Sequence, residues 1–272
     1  MTLSSRRSIG IERLREGQRL AASDEVAVED PLEIRIGHVA LGPVPRSVSV
    51  TMRTPGHDKE LALGYLYAEG VVDSAAQVVG VRACSGNPRA LRVELVGAPP
   101  RLERLERVGA LSSSCGACGK TSLEAALGPL PGMVSGDGQV LASVLCGLPA
   151  RLRAAQANFA ATGGLHGVGL FDLRGTLMAL REDVGRHNAL DKLVGHALLQ
   201  GQLPWADRIV LLSGRASFEL LQKSARAGAS IVAAIGAPSS LAIETAQAAG
   251  ITLVGFLHQR GFNVYCGPQR IG

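Results

Sequence analysis

The chain has 272 residues, of which 46% are hydrophobic and 19% are charged. This composition excludes an intrinsically disordered protein, because so many apolar residues can bury a core, and the length suffices for one large domain or two smaller ones. The formal net charge is +5, but the basic residues are scattered and only 3% of the residues are aromatic. The sequence therefore argues against a nucleic-acid partner and favours a phosphorylated small ligand.

The N-terminal segment is polar and basic and lacks the apolar core of a signal peptide. No apolar run reaches the length of a membrane span. These features predict a cytoplasmic protein that has no membrane partner. The five cysteines, an odd number in a chain without an export signal, are expected to be reduced thiols and not a disulfide framework.

The first predicted unit is a small α+β domain at residues 1–108. Its strands are predicted where apolar and polar residues alternate, at 32–36, 48–52, 78–82 and 91–95. One helix interrupts these strands. It is predicted to begin near Thr54-Pro55, because proline suits a first helical turn, and to end at Gly70.

The second predicted unit is an α/β domain at residues 109–272, which begins with a mobile loop that contains Cys115 and Cys118. Its first elements are predicted in this order: a short helix near Thr121, where a capping box begins, a helix at 151–162, a hairpin over 167–180 and a helix at 186–199. Strands then alternate with helices. The strands are predicted at 208–212, 230–235 and 251–257, and the helices at 217–227 and 239–249. Such an alternation predicts parallel strands in a sheet that helices cover.

Three loops are predicted at the carboxyl ends of these parallel strands, the edge at which open parallel sheets bind ligands. They are residues 213–217, 236–240 and 258–261. The first two open directly onto helix N-termini, whose free N–H groups favour an anion, and Arg215 adds a guanidinium. A phosphate-bearing ligand at this edge is one interpretation. In the other, the Gly, Ser and Pro residues only shape turns and cap helices.

Two cysteines in the run 112–120, Ser-Ser-Ser-Cys-Gly-Ala-Cys-Gly-Lys, are the predicted chemical centre. Sulfur transfer needs a thiolate that accepts sulfur as a persulfide and a mobile loop that presents it, and the Ser and Gly residues around Cys115 and Cys118 favour mobility. Lys120 and the helix start near Thr121 place positive potential close to Cys118. Local electrostatics alone therefore make Cys118 the more acidic thiol.

Zinc binding and redox chemistry are alternative interpretations of this pair. A structural zinc site needs four ligands, so two more would have to come from a histidine or from Cys84, Cys146 and Cys266. A thioredoxin-like pair would open a helix directly after a strand, whereas a serine run precedes this one. The three remaining cysteines are otherwise interpreted as ordinary small apolar residues.

Two histidines, His166 and His187, stand near glycines at predicted element ends. They are candidates for a site, and structural caps are the alternative. His196 lies inside a predicted helix and is interpreted as structural. Asp183 and Asn188 suit the role of helix caps equally well.

Six blocks of sequence resemble the formate dehydrogenase accessory sulfurtransferase family of the FdhD type. They follow one another in order through most of the chain, at 54–66, 115–119, 162–166, 181–192, 213–217 and 261–265. The Asp-Val-Gly-Arg-His-Asn run inside 181–192, together with the CxxC pair, is highly specific.

The resemblance implies a cytoplasmic sulfurtransferase that works through a cysteine persulfide. It implies that sulfur comes from a cysteine desulfurase and passes to the bis(molybdopterin guanine dinucleotide) molybdenum cofactor, before that cofactor is inserted into formate dehydrogenase. It also implies a homodimer and a C-terminal domain similar to the cytidine deaminase fold, with no tightly held metal of the protein's own.

The resemblance further implies the roles of individual residues. The first cysteine of the motif, Cys115, is the implied persulfide carrier, and we retain Cys118 as its partner in relay or resolution. The implied cofactor-binding residues are Phe256, Leu257, His258, Gln259, Arg260 and Gly261. Many relatives have Arg at the position of His258 and a basic residue at that of Gly261, and Arg260 is expected to replace the lost charge.

Two other functions were weighed against the sulfur carrier. A deaminase needs HxE and PCxxC zinc motifs, but His166 is followed by Gly167 and Val168, and the CxxC lies upstream without a preceding proline. Deaminase activity is therefore not expected. The second alternative is a non-catalytic protein that binds and delivers the cofactor, with a CxxC pair that fixes structure or binds a metal.

Overall fold

The structure is a computed structural model that describes residues 3–105 and 132–272. The strands within these residues are β1 Arg6–Arg15, β2 Gln18–Ala27, β3 Asp30–Gly37, β4 Arg46–Arg53, β5 Val78–Cys84, β6 Asn87–Leu95, β7 His166–Phe171, β8 Leu177–Asp183, β9 Ile209–Leu212, β10 Ile231–Ala234, β11 Thr252–His258 and β12 Gly261–Cys266. The helices are α1 Asp58–Ala68, α2 Ala142–Ala155, α3 Ala157–Thr162, α4 Arg186–Leu199, α5 Phe218–Arg226 and α6 Ser240–Ala249.

The first two strands form a separate antiparallel hairpin that the sequence analysis did not predict. Its turn is Glu16-Gly17, and both residues have positive φ angles of 50° and 80°. Most of its side chains are exposed, so no regular alternation of buried apolar residues marks these strands in the sequence.

The next four strands form a sheet in the order β4-β3-β6-β5, with only β3 and β6 parallel. All four strands predicted in the first half are confirmed. The helix that packs against this sheet, α1, begins at Asp58 and not near Thr54. Gly56 and His57 have φ angles of 107° and 59°, and a right-handed helix cannot include such residues.

The largest sheet has the order β12-β11-β10-β9-β7-β8. Its strands β9, β10 and β11 are parallel, as the alternating pattern predicted, and β7 and β8 form the predicted antiparallel hairpin. The predicted α/β character is therefore confirmed. Strand β12, which pairs with β11 in antiparallel fashion at the edge, was not predicted.

Helices cover both faces of this sheet. On one face α4, α5 and α6 bury apolar residues such as Leu193, Leu221 and Ala246 against the strands. On the other face α2 packs Leu148 and Leu152 against the same strands. This sheet thus lies between two layers of helices.

The predicted helix at 151–162 is wrong in its bounds. Helix α2 begins nine residues earlier, at Ala142, and ends at Ala155, and the separate helix α3 follows. The break is at Gln156, whose ψ of 77° is not helical. The break leaves the first N–H groups of α3 without a partner inside the helix. The Glu182 carboxylate accepts hydrogen bonds from two of them, those of Asn158 and Phe159.

The two halves of the structure meet where α1 crosses α4. Gly64 of α1 lies against the backbone of Asp191, and Gly195 of α4 lies against the backbone of Glu60, so a Cβ atom at either glycine would overlap a carbonyl oxygen. The two helix backbones therefore touch, which only residues without a side chain permit. The predicted boundary between residues 108 and 109 lies outside the described residues and stays a prediction.

None of the helices that the structure describes is both long enough and apolar enough to cross a membrane.

Candidate functional site

Two of the three predicted edge loops lie side by side at the carboxyl ends of β9 and β10. The Ala216 N–H donates to the Ala237 carbonyl at 3.1 Å, and the Ser239 N–H donates to the Ala216 carbonyl at 3.0 Å. At Gly236, a Cβ atom would come within 3.0 Å of the Arg215 backbone nitrogen. We call residues 213–217, 236–240 and 258–261 the rim.

Two helices begin at the rim. Ser217 precedes α5 and makes no side-chain cap bond, whereas Ser239 precedes α6 and its hydroxyl accepts a hydrogen bond from the Ala242 N–H. The first turn of α6 contains no acidic residue, whereas that of α5 contains Glu219, whose carboxylate pairs with His187. Free N–H groups and positive helix ends therefore face the same edge of the sheet, which is the local environment that an anion prefers.

The segment 256–261, predicted to contact the cofactor, begins beside the rim. The Phe256 N–H donates to the Gly236 carbonyl at 3.1 Å. Phe256 has a φ of 52° and is 48% exposed, an unusual backbone conformation for a bulky residue that is more common at functional sites. Leu257 is buried in the core under α2, so its side chain does not face the rim.

The remaining residues of this segment form the turn between β11 and β12. His258 and Arg260 are exposed, and the Arg260 N–H donates to His258 Nδ1 at 3.1 Å. The Arg260 guanidinium has no partner among the described residues. It is therefore available to an anion, and the replacement of a basic residue of the relatives by Arg260 stays a prediction.

Both candidate histidines lie at this edge of the sheet. His166 begins β7, which runs antiparallel to β9, so the first residue of β7 stands beside the end of β9. A Cβ atom on Gly214 would be 3.4 Å from His166 Nδ1. His187 lies in the first turn of α4, and its Nε2 is 3.0 Å from Glu219 Oε2 and 3.4 Å from Ser217 Oγ.

Arg186 is a functional candidate that the sequence analysis missed. It is the first residue of α4. Burial is the main cause that lowers the pKa of His166, and the positive charge of Arg186 is the next largest cause. Its position directly before His187 and after Gly185 was the available signal. Among the described residues, the guanidiniums of Arg186, Arg215 and Arg260 have no hydrogen-bond or ion-pair partner, and together they make this edge electropositive.

Other residues of the block 181–192 do not face the rim. Asp183 is fully buried and its Oδ2 is 2.7 Å from Lys192 Nζ. Lys192 Nζ also donates to the Thr54 carbonyl at 2.7 Å, and the Thr54 N–H donates to Asp183. Asn188 donates to the Met52 carbonyl at 2.7 Å. We call this set of contacts the junction, because it joins the loop before α1 to the start of α4.

His196 is structural, as its position inside a helix predicted. Its Nδ1 is 3.1 Å from Glu60 Oε1 on α1. The Arg181 Nη2 donates to the same carboxylate at 2.7 Å, so Glu60 also joins the two halves.

The predicted catalytic residues Cys115 and Cys118 lie outside the described residues, as does the predicted capping box at Thr121. The three described cysteines, Cys84, Cys146 and Cys266, are free thiols on β5, α2 and β12. Burial raises the pKa of the Cys266 thiol, which makes it a poor nucleophile at neutral pH. Within the described ranges, no three His, Cys, Asp or Glu side chains group as metal ligands. The zinc alternative needs Cys115 and Cys118 and stays untested.

Comparisons with known proteins agree on one family. The sequence model of the FdhD/NarQ family matches residues 27–272, so the match begins at the end of β2. The sulfur carrier protein FdhD of Nocardia farcinica is 44% identical over 270 residues, which cover 96% of this chain and 93% of the relative. The sulfur carrier protein FdhD of Sulfolobus acidocaldarius is 39% identical and covers 97% of this chain and 98% of the relative.

A solved structure shares the fold. The crystal structure of a candidate formate dehydrogenase accessory protein from Desulfotalea psychrophila superposes with a TM-score of 0.72. The superposition covers 98% of this chain and 99% of the other, at 24% sequence identity.

Proposed function

Since this chain belongs to the FdhD/NarQ family, we propose that it is a sulfur carrier that serves the assembly of formate dehydrogenase. The names of its relatives, sulfur carrier protein and formate dehydrogenase accessory protein, support this assignment. The CxxC pair supports it chemically, because sulfur transfer requires a nucleophilic thiol.

The proposed reaction takes place on Cys115. Its thiolate attacks the terminal sulfur of a cysteine persulfide on a cysteine desulfurase. A new S–S bond forms on Cys115, the S–S bond of the desulfurase breaks, and the desulfurase cysteine leaves as a thiolate. Attack of the Cys118 thiolate on Cys115 Sγ then releases the carried sulfur as sulfide. The two cysteines supply the two electrons and end as a disulfide, which a cellular thiol must reduce before the next cycle.

The proposed acceptor of the sulfur is the bis(molybdopterin guanine dinucleotide) cofactor, bound as a substrate at the rim. The observation that supports a phosphorylated acceptor is the electropositive edge described above. It combines two helix N-termini with the guanidiniums of Arg186, Arg215 and Arg260, which have no partner in the described part of the chain. Guanidinium groups and helix N-termini are the groups with which proteins bind phosphates. Phe256, exposed beside the rim, offers an aromatic surface for the guanine base.

The test of the carrier function is the mass of the protein after incubation with a cysteine desulfurase and cysteine. The full chain is expected to gain one sulfur atom on Cys115, and Cys115→Ala is expected to gain none. Cys146→Ala, which removes a described thiol on α2, is the matched control and should behave as the unmodified chain does.

The activity of formate dehydrogenase, measured with the Cys115→Ala variant, separates the sulfur carrier from the cofactor-binding protein. If Cys115→Ala folds normally and still supports an active formate dehydrogenase, the carrier role is wrong. A cofactor-binding protein without sulfur chemistry would then be the better description. The cytoplasmic location, the homodimer, the absence of a resident metal and the likeness of the C-terminal half to the cytidine deaminase fold remain predictions.

A further inference from the structure

Arg186 is a half-buried arginine, and it differs from the paired arginines of the structure. Arg53 is fully buried and binds Asp58 and Asp30, and Arg270 binds backbone carbonyls of Gly136 and Gly250. The Arg186 Nε atom is shielded from water and has no hydrogen-bond partner, which is also true of Arg35 and Arg92. Those two side chains form ion pairs with glutamates, whereas no nitrogen of Arg186 has a partner among residues 3–105 and 132–272. A donor that is shut away from water without an acceptor costs free energy, and a bound ligand, an ion or a water molecule can supply the missing acceptor.

The surroundings of Arg186 also leave its charge uncompensated. The carboxylate of Asp183 is committed to Lys192, that of Glu219 to His187, and that of Asp191 to Lys223. Burial lowers the pKa of His166, and the nearby Arg186 and His187 lower it further. At neutral pH the imidazole of His166 is therefore uncharged and can offer one N–H donor, while Arg186 keeps an unbalanced positive charge.

These groups lie at the same end of the rim. His166 lies against Gly214, His187 lies against Ser217, and Arg186 precedes His187 at the start of α4. We call His166, Arg186, Gly214 and Ser217 the Arg186 cluster. It stands at the β7 and β9 end of the rim, whereas segment 256–261 stands at the β11 end.

We propose that the Arg186 cluster is a phosphate subsite of its own, so that an acceptor with a diphosphate group is bound at this end of the rim in addition to segment 256–261. This inference rests on the proposed function for its biological ligand, but the binding of a phosphate anion does not depend on sulfur transfer. The guanidinium of Arg186 supplies the charge and the fork of donors, His166 supplies a neutral donor, and Ser217 supplies a hydroxyl that does not cap α5.

The test is a calorimetric titration of the full chain with inorganic pyrophosphate at constant ionic strength. Arg186→Gln is expected to weaken binding about tenfold, which is the effect of losing a charge-assisted hydrogen bond. Arg186→Lys keeps the charge but loses the forked arrangement of donors. Its affinity for pyrophosphate should therefore lie between those of the unmodified chain and Arg186→Gln. Arg174→Gln is the matched control, because Arg174 lies in the turn between β7 and β8, at the opposite end of β7 from His166.

A second variant, Gly214→Ala, changes the space within the Arg186 cluster and leaves its charge unchanged. In Gly214→Ala the added methyl group would meet the His166 ring at 3.4 Å, an ordinary contact that leaves the fold intact but narrows the cluster. It is expected to weaken pyrophosphate binding while the free energy of unfolding stays the same.

The inference is overturned if the unmodified chain does not bind pyrophosphate, or if Arg186→Gln and Arg174→Gln bind it equally well. Sulfur uptake by Cys115, measured on the same samples, distinguishes this failure from that of the proposed function. Sulfur uptake without an effect of Arg186→Gln removes the subsite and keeps the carrier role. An effect of Arg186→Gln without sulfur uptake keeps the subsite and removes the carrier role.

Discussion

The junction and the rim differ in whether their charged residues have partners, although one block of twelve residues, 181–192, contributes to both. At the junction, Asp183 and Lys192 are buried and bind each other and the backbone at Thr54. At the rim, Arg186 has no partner among the described residues. Arg186 and Lys192 lie within the same helix, α4. The difference between their partners is therefore not a property of the helix as a whole.

The difference shows that a specific sequence block is not a site in itself. Buried charges that are fully paired hold two parts of a chain in one geometry, and removing one partner is costly because the other stays buried and unpaired. A charge without a partner contributes little to the fold and is free to bind a ligand. The junction therefore fixes the start of α4, and that start presents Arg186 and His187 to the rim.

The largest effect is expected from breaking the junction. Asp183→Asn would leave Lys192 buried without its counter-charge, and we expect the free energy of unfolding to fall by about 3 to 5 kcal/mol. Urea denaturation measures this change. Asp137→Asn, at an exposed aspartate, is the matched control and should change the free energy by less than about 0.5 kcal/mol. Equal stability of both variants would show that the junction does not hold the two halves together.

An intermediate effect is expected from Glu60, the other link between the halves. Burial raises the pKa of Glu60, but the hydrogen bonds from Arg181 and His57 outweigh burial and lower the pKa to about 2 from 4.5. The folded state therefore binds fewer protons than the unfolded state in this range. The stabilisation is complete above about pH 4.5 and is lost as the pH falls toward 2.

The corresponding measurement is the free energy of unfolding at several pH values between about 5 and 2, for the unmodified chain and for Glu60→Gln. We expect the profile of the variant to be shallower by about 2 to 3 kcal/mol, because glutamine does not titrate. The difference between the two profiles cancels the contributions of all other carboxylates. Parallel profiles would mean that Glu60 is not the titrating link.

The smallest effect on stability is expected at the rim. Arg186→Gln removes a side chain without a partner among the described residues, so the free energy of unfolding should not fall by more than about 0.5 kcal/mol. The same urea denaturation experiment checks it. A loss of more than about 2 kcal/mol would show that Arg186 is structural, and the contrast between junction and rim would no longer hold.

Elements with a strong period could be predicted from the sequence. The alternation of β9, α5, β10, α6 and β11 was predicted, and so was α4 with both of its ends, because these elements bury one regular face in a common core. The bounds of α1 and α2 were not predicted. Positive φ angles at Gly56 and His57 and the non-helical ψ at Gln156 are backbone conformations that the surrounding contacts impose.

The residues of the candidate site also divide into those that could be predicted from local patterns and those that could not. The rim loops, Arg215, His166 and His187 were predicted, because turn residues before helices and histidines beside glycines are local patterns. Arg186 and Glu219 were missed, since their roles depend on which side chains their neighbours bind. The roles of Asp183 and Asn188 were also only partly foreseen: both lie at the start of α4, but each also binds the chain near Thr54 or Met52.

By itself, the sequence determined the parallel core of the second half, the electropositive character of its rim and the resemblance to a family, because these depend on residue types and their spacing. Only the tertiary structure decided which charges of the block 181–192 are paired. Asp183 meets Thr54 across 129 positions, and such a contact depends on how two sheets and two helices pack. That pairing decides that Lys192 is structural, whereas Arg186 has no partner within residues 3–105 and 132–272.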